Sequence, residues 1–221
     1  MAENTPRTRA AVPLTAIAVL AAAIAVLVAR IPAVEGLGSK VRLPIFHGGS
    51  TWVNLAMFTL MGVAAVGYLI TKRNSVYAWE YGFRAVAAPM WLVNSVLGVI
   101  AALNTWDFSA SKEPPILAVR QDPRLMAQFA LLLGVVVLLA LDRLVLDTRP
   151  ARAIADLAFT VTMWVLISDL FLNPEKRALH PDSPVLNSGW EIKLPFFAIV
   201  ACIFAIATIL AWWAGRRIAA E

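Results

Sequence analysis

The sequence predicts an all-α polytopic membrane protein with six transmembrane helices, and three observations carry that reading. Of 221 residues, 60% are hydrophobic and only 15% are charged, far too apolar for an ordinary soluble domain. The apolar residues come in long blocks, not in amphipathic stripes. Trp, Tyr, Lys and Arg gather at the block ends, where such side chains reach the headgroups.

A bilayer core of about 30 Å takes about 20 apolar residues of helix. The first block, 11–29, is rich in Ala and follows Arg7 and Arg9. Its apolar run is longer than the core of a usual signal peptide, so it reads as a retained anchor. The second, 51–70, follows a Gly-Gly-Ser-Thr stretch. The third, 86–103, has Tyr77, Trp79 and Tyr81 ahead of it and Pro89 near its start. The fourth, 125–145, opens after Asp122-Pro123, a capping residue followed by a proline suited to a first helical turn. The fifth is 154–172, and the sixth, 194–214, exits through Trp212, Trp213, Arg216 and Arg217. Little is left outside these blocks, so residues 1–221 read as one integral membrane domain.

An even number of spans places both termini on one side. Ten of the 19 Lys and Arg fall on that side. The connections there are short and basic, whereas the opposite loops are longer and rich in Pro and Gly. The expected arrangement has both termini in the cytoplasm and the long loops outside, in the cell inner membrane. The net charge of +5 is scattered over helix ends, which argues for a lipid partner and against nucleic acid. No phosphate-binding glycine loop, nucleophile elbow, His-x-x-x-His or CxxC is present. That excludes the common hydrolase and zinc-enzyme patterns, and the lack of CxxCH excludes covalent c-type haem. Cys202, the single cysteine, reads as apolar packing.

The chain has two histidines, and both are expected in polar loops on the outer side. His47 lies in Phe46-His47-Gly48-Gly49-Ser50-Thr51-Trp52, and His180 in Leu179-His180-Pro181-Asp182-Ser183-Pro184. Two imidazoles at one membrane face suit the two axial positions of a haem iron; each also reads as a plain interfacial residue. Trp52 would border the macrocycle. Arg42, Arg120, Arg124, Lys176 and Arg177 would pair with propionates.

Three segments resemble the CcmC/CcsA group of cytochrome c assembly membrane proteins. His47-Gly48-Gly49-Ser50-Thr51-Trp52 is similar to that family's His…Trp start of the second helix. Asp122-Pro123-Arg124-Leu125 resembles the end of its tryptophan-rich W-D-[PA]-R-L segment. Leu179-His180-Pro181-Asp182-Ser183-Pro184 resembles its L-H-Q-P-x-S segment before the last helix. Their order agrees across about residues 45–200. The resemblance implies non-covalent haem b near the outer face, with His47 and His180 as ligands and Asp122 and Arg124 in the haem-facing segment. It also implies partners such as periplasmic subunits, an apocytochrome c or a haem chaperone. The family's tryptophans before the aspartate are replaced here by Ala118-Val119-Arg120-Gln121. The nearest tryptophan is Trp106, well upstream in an enlarged loop.

Asn54, Asn94 and Gln128 lie inside spans and are expected to join helices by hydrogen bonds. Asp169 is expected to pair with Arg177 or Lys176 or to snorkel outward. Asp156, near the inner end, is read as the only other acid well within a helix, so no proton channel is expected. Haem binding and transfer is therefore the first functional reading, with no bond-making chemistry by the protein. The alternative is an integral subunit of a respiratory or photosynthetic redox complex, as a b-type electron carrier or a plain anchor. A permease ranks last, because no paired broken helices are seen.

Overall fold

The computed structural model describes residues 6–109, 111–173, 185 and 188–219. Six of its helices are long and apolar enough to cross a membrane, and there is no strand among the described residues. The chain is an all-α, multi-pass membrane protein. In order the helices are α1 (Pro6–Arg30), α2 (Arg42–Thr71), α3 (Asn74–Thr105), a short α4 (Pro115–Val119), α5 (Pro123–Leu144), α6 (Arg149–Leu172) and α7 (Trp190–Ala219). A single 3-10 turn, Ser39–Val41, leads into α2.

The spans are the expected six, but several are longer than hydropathy suggests. Helix α2 starts at Arg42 rather than 51. Pro44 falls in its first turn, where no backbone donor is needed. Helix α3 starts at Asn74 rather than 86, and α6 starts at Arg149 rather than 154. The Thr148 side chain accepts from Ala151 N at 3.3 Å. Helix α5 begins as expected: Asp122 Oδ1 accepts from the backbone N–H of Arg124 (2.9 Å) and Leu125 (3.1 Å), with Pro123 following the cap.

The turn between α2 and α3 needs only Lys72 and Arg73. Lys72 takes the left-handed conformation (φ 54°) and its N–H closes α2 on Tyr68 O at 2.8 Å. The core lies between α2, α3, α6 and α7. Phe58 of α2 meets Trp91 of α3 edge-on at 6.1 Å and Phe159 of α6 at 4.9 Å. Helix α1 stands at the periphery against α7, with Ile24, Leu27 and Val28 partly buried.

Between apolar helices in lipid, packing and polar bonds have to replace the hydrophobic drive. Helices α3 and α7 cross in antiparallel sense through Ala78 and Gly82 on one and Ala211 and Gly215 on the other. A Cβ added at Gly82 would strike the Ala211 carbonyl, and one at Gly215 would strike the Ala78 carbonyl. Helices α2 and α6 use the same device: a Cβ on Gly62 would come within 2.7 Å of Thr160. The Thr160 hydroxyl lies 3.0 Å from Phe58 O across that contact. Gly82→Val is therefore expected to destabilise the fold by about 1–3 kcal/mol. The check is the thermal midpoint in detergent micelles, and an unchanged midpoint would refute the close crossing.

Candidate functional site

The end of α1, the start of α2, the end of α3, the start of α5, the end of α6 and the start of α7 share one end of the bundle, here the loop face. The start of α1, the end of α7 and the short turns share the other, the terminal face. Each face has a polar cluster beneath it.

Under the loop face, His47 is not in a loop. It sits in the second turn of α2, half-buried, and its side chain reaches α3. His47 Nδ1 is 3.1 Å from Asn94 Oδ1. Asn94 Nδ2 donates to Thr51 Oγ1 (2.8 Å), and Thr51 Oγ1 donates to His47 O (2.9 Å). With Asn94 Nδ2 committed as donor to Thr51, the Asn94 amide oxygen is the acceptor that faces His47 Nδ1. The ring lies against Gly98. A Cβ there would come within 3.2 Å of Nε2 and 3.0 Å of Gln128 Oε1. The glycine thus lets α2, α3 and α5 converge on one imidazole. Trp91 Nε1 donates to Gln128 O at 3.1 Å, tying α3 to α5 beside it.

Val99, next to Gly98, lines an open groove of about 370 Å³ with Ile116, Leu117 and Val119 of α4, Arg120, and Met126 and Phe129 of α5. Trp106 closes α3 and packs with Phe108 (6.3 Å) on Ala102, Val119 and Leu125. The fold therefore brings this tryptophan to the Asp122–Leu125 segment, from which it looked remote. In the same loop Ser109 N–H donates to Asp107 (2.9 Å) and holds its carboxyl below the usual range.

Other expected residues fare differently. Trp52 is 52% exposed and occupies a different face of α2 from His47. Five residues turn a helix by about 140° beyond a full revolution. Asp122 acts as a cap, with Oδ2 buried and without a hydrogen-bond partner among the described residues, and Arg124 follows it in the first turn of α5. Arg42 Nε is engaged with Ile31 O at 3.1 Å. Asn94 joins helices as expected, whereas the fully buried Asn54 has no hydrogen-bond partner for either amide atom among the described residues. Asp169 accepts from Asn173 Nδ2 at 2.6 Å. His180, Lys176 and Arg177 lie outside the described residues. Among the described residues no three His, Cys, Asp or Glu converge to hold a bare metal ion.

Under the terminal face lies a cluster that hydropathy hid. Glu80 and Arg84, outside the predicted 86–103 span, are buried within α3. Arg84 bridges two acids: Nη1 to Asp156 Oδ1 of α6 at 3.3 Å and Nη2 to Asp142 Oδ1 of α5 at 3.2 Å. Arg152 Nε reaches the same Asp142 oxygen at 3.1 Å. Asp156 is thus not the only acid in this region, and Arg84 is not a surface charge in the orientation tally. The signal was in the chain: Tyr77, Glu80, Arg84 and Trp91 continue the three-to-four spacing that runs on to Asn94, Ser95 and Gly98.

Neither a protein-family model nor a curated protein matches the chain.

Arg84→Met would leave Asp156 in the bundle without its cation. The expected loss is about 3–5 kcal/mol, and adding Asp156→Leu should restore most of it. Chemical unfolding in mixed micelles reads both; equal stability of the single and double variants would refute the pairing.

Proposed function

We propose that the protein binds haem b at the loop face and hands it to a partner there, with His47 as an axial ligand. The observation that carries this is the Asn94 bond to His47 Nδ1. A ligating histidine characteristically donates its other ring N–H to an oxygen, which fixes the ring and raises its basicity. Two further features fit the group. The groove beside Val99 is apolar, as the faces of a porphyrin require, and Arg120 among its lining residues supplies the cation a propionate needs. His180 is the proposed second ligand, on its resemblance to the assembly family. Bound haem would supply an iron centre able to change oxidation state. The chain's own part is to fix the imidazole, exclude water around it and pair the acidic edge. On this reading the loop face is the outer side of the cell inner membrane. The partner is a periplasmic subunit, a haem chaperone or an apocytochrome c.

One observation favours a second reading, a b-type electron carrier within a larger redox complex. The tryptophans that would present haem for transfer are missing from Ala118–Gln121, and Trp106 is tucked into the α3–α4–α5 contact instead. Permanent, reversibly reducible haem in a stable complex would select it; haem lost to an apo-acceptor would select delivery.

Purified protein is expected to show a Soret band that collapses in His47→Ala and weakens in His180→Ala. A spectrum unchanged by both substitutions would sink the ligand assignment. Asn94→Leu keeps the ligand but removes its support, and should lower haem affinity about 10–100-fold. Titration of the apoprotein with haemin measures it.

A further inference from the structure

A charge inside a membrane bundle is neutralised, or it is there for use. The terminal-face cluster has three acids, Glu80, Asp142 and Asp156, and two guanidinium groups, Arg84 and Arg152. Both cations are already committed: Arg84 spans Asp142 and Asp156, and Arg152 takes Asp142. Glu80 is fully buried, and among the described residues neither of its carboxylate oxygens meets an N–H or O–H donor. Asp156 is equally buried, and its second oxygen, Oδ2, likewise meets no such donor among the described residues. Glu80 stands one helical turn before Arg84 on the same buried face of α3, and Arg84 Nη1 holds Asp156 Oδ1 at 3.3 Å, so the two acids share one cation's surroundings. Two adjacent acids, with one cation too few, lack a single hydrogen between them.

We propose that Glu80 and Asp156 form a proton-binding site, holding one shared proton in the folded protein. That proton balances the cluster and supplies the missing donor. Two carboxyl groups packed together cannot both ionise without strong repulsion. The cluster also opens gradually to water. Side-chain exposure rises from 0% at Asp156 through 3% at Arg84 and 18% at Asp142 to 32% at Arg152. The proton exchanges by this polar path with water at the α5–α6 corner, entering and leaving on the same side.

The groups around the site come from every helix that packs there. Helix α3 adds Tyr77, whose hydroxyl is buried near Arg84 and Arg152. Helix α6 adds Arg149, which lies over the Tyr77 ring at 5.1 Å. Helix α2 adds Tyr68, 5.1 Å from Tyr77, and Lys72 over Tyr68. Helix α7 presents Ala211 and Gly215 to α3, while Arg216 and Arg217 lie over Trp212 and Trp213. The site is at the opposite end of the bundle from His47 and does not depend on haem.

Infrared spectroscopy of the purified full-length protein at neutral pH tests the proposal. A carboxylic-acid C=O band is expected, lost in Glu80→Gln and displaced in Asp156→Asn. Should a variant fail to fold, carbon-13 labelling of the glutamate carboxyls in the unaltered protein keeps the test open. The band must then shift, because the other glutamates described, Glu35, Glu113 and Glu191, are exposed. No acid band, or one that ignores both the label and the substitutions, overturns the site. So does a thermal midpoint raised by sodium over choline at equal ionic strength and insensitive to sodium in Glu80→Gln, which would mean a bound cation.

Discussion

Helix α3 can lie at the centre of this bundle only because its inner face is made of small and polar residues. Tyr77, Glu80, Arg84, Ala87, Ala88, Trp91, Asn94, Ser95, Gly98, Ala101 and Ala102 are all buried and recur every three or four positions. In hydrocarbon, burying apolar surface between helices gains little over leaving it against lipid tails. Close backbone approach and interhelical polar bonds have to supply the difference. Gly82 lets α7 come close, Gly98 lets the His47 ring come close, and Arg84 and Asn94 reach across to α5, α6 and α2. Without that face neither polar cluster could assemble.

The two clusters follow different physics. Around His47 the bonds run through a short closed chain of donors and acceptors that links α2 to α3. Its effect is orientation: one imidazole in one place. Around Arg84 the groups are charged, and opposite charges gain from the low dielectric as much as unpaired ones suffer from it. Its effect is a balance of charge among α3, α5 and α6. The two clusters lie at opposite ends of the bundle, and α3 contributes to both.

Several features were legible along the chain. The six apolar blocks, the Asp122-Pro123 start of α5 and the bonding role of Asn94 needed only periodicity and residue chemistry. The helix starts at Arg42, Asn74 and Arg149 were not legible, because hydropathy marks where polar residues begin rather than where a helix does. Tyr77, Glu80 and Arg84 look like an interfacial flank until α5 and α6 provide partners. Likewise Gly48-Gly49 looks like loop sequence around His47. Gly49 in fact lies under Phe196, Ile199 and Val200 of α7, a contact that favours a missing side chain within a helix.

Composition and block length alone therefore determined that this is an all-α protein crossing a membrane six times, because a bilayer demands long runs of internally bonded apolar helix. Only the tertiary structure decided that His47 belongs to a helix held by Asn94, that Trp52 faces outward and that Trp106 folds back to Leu125. It alone revealed that Glu80 and Arg84 are interior. The reason is geometric: each of these depends on which helix stands opposite, and the helices that meet are separated by tens of residues in the chain.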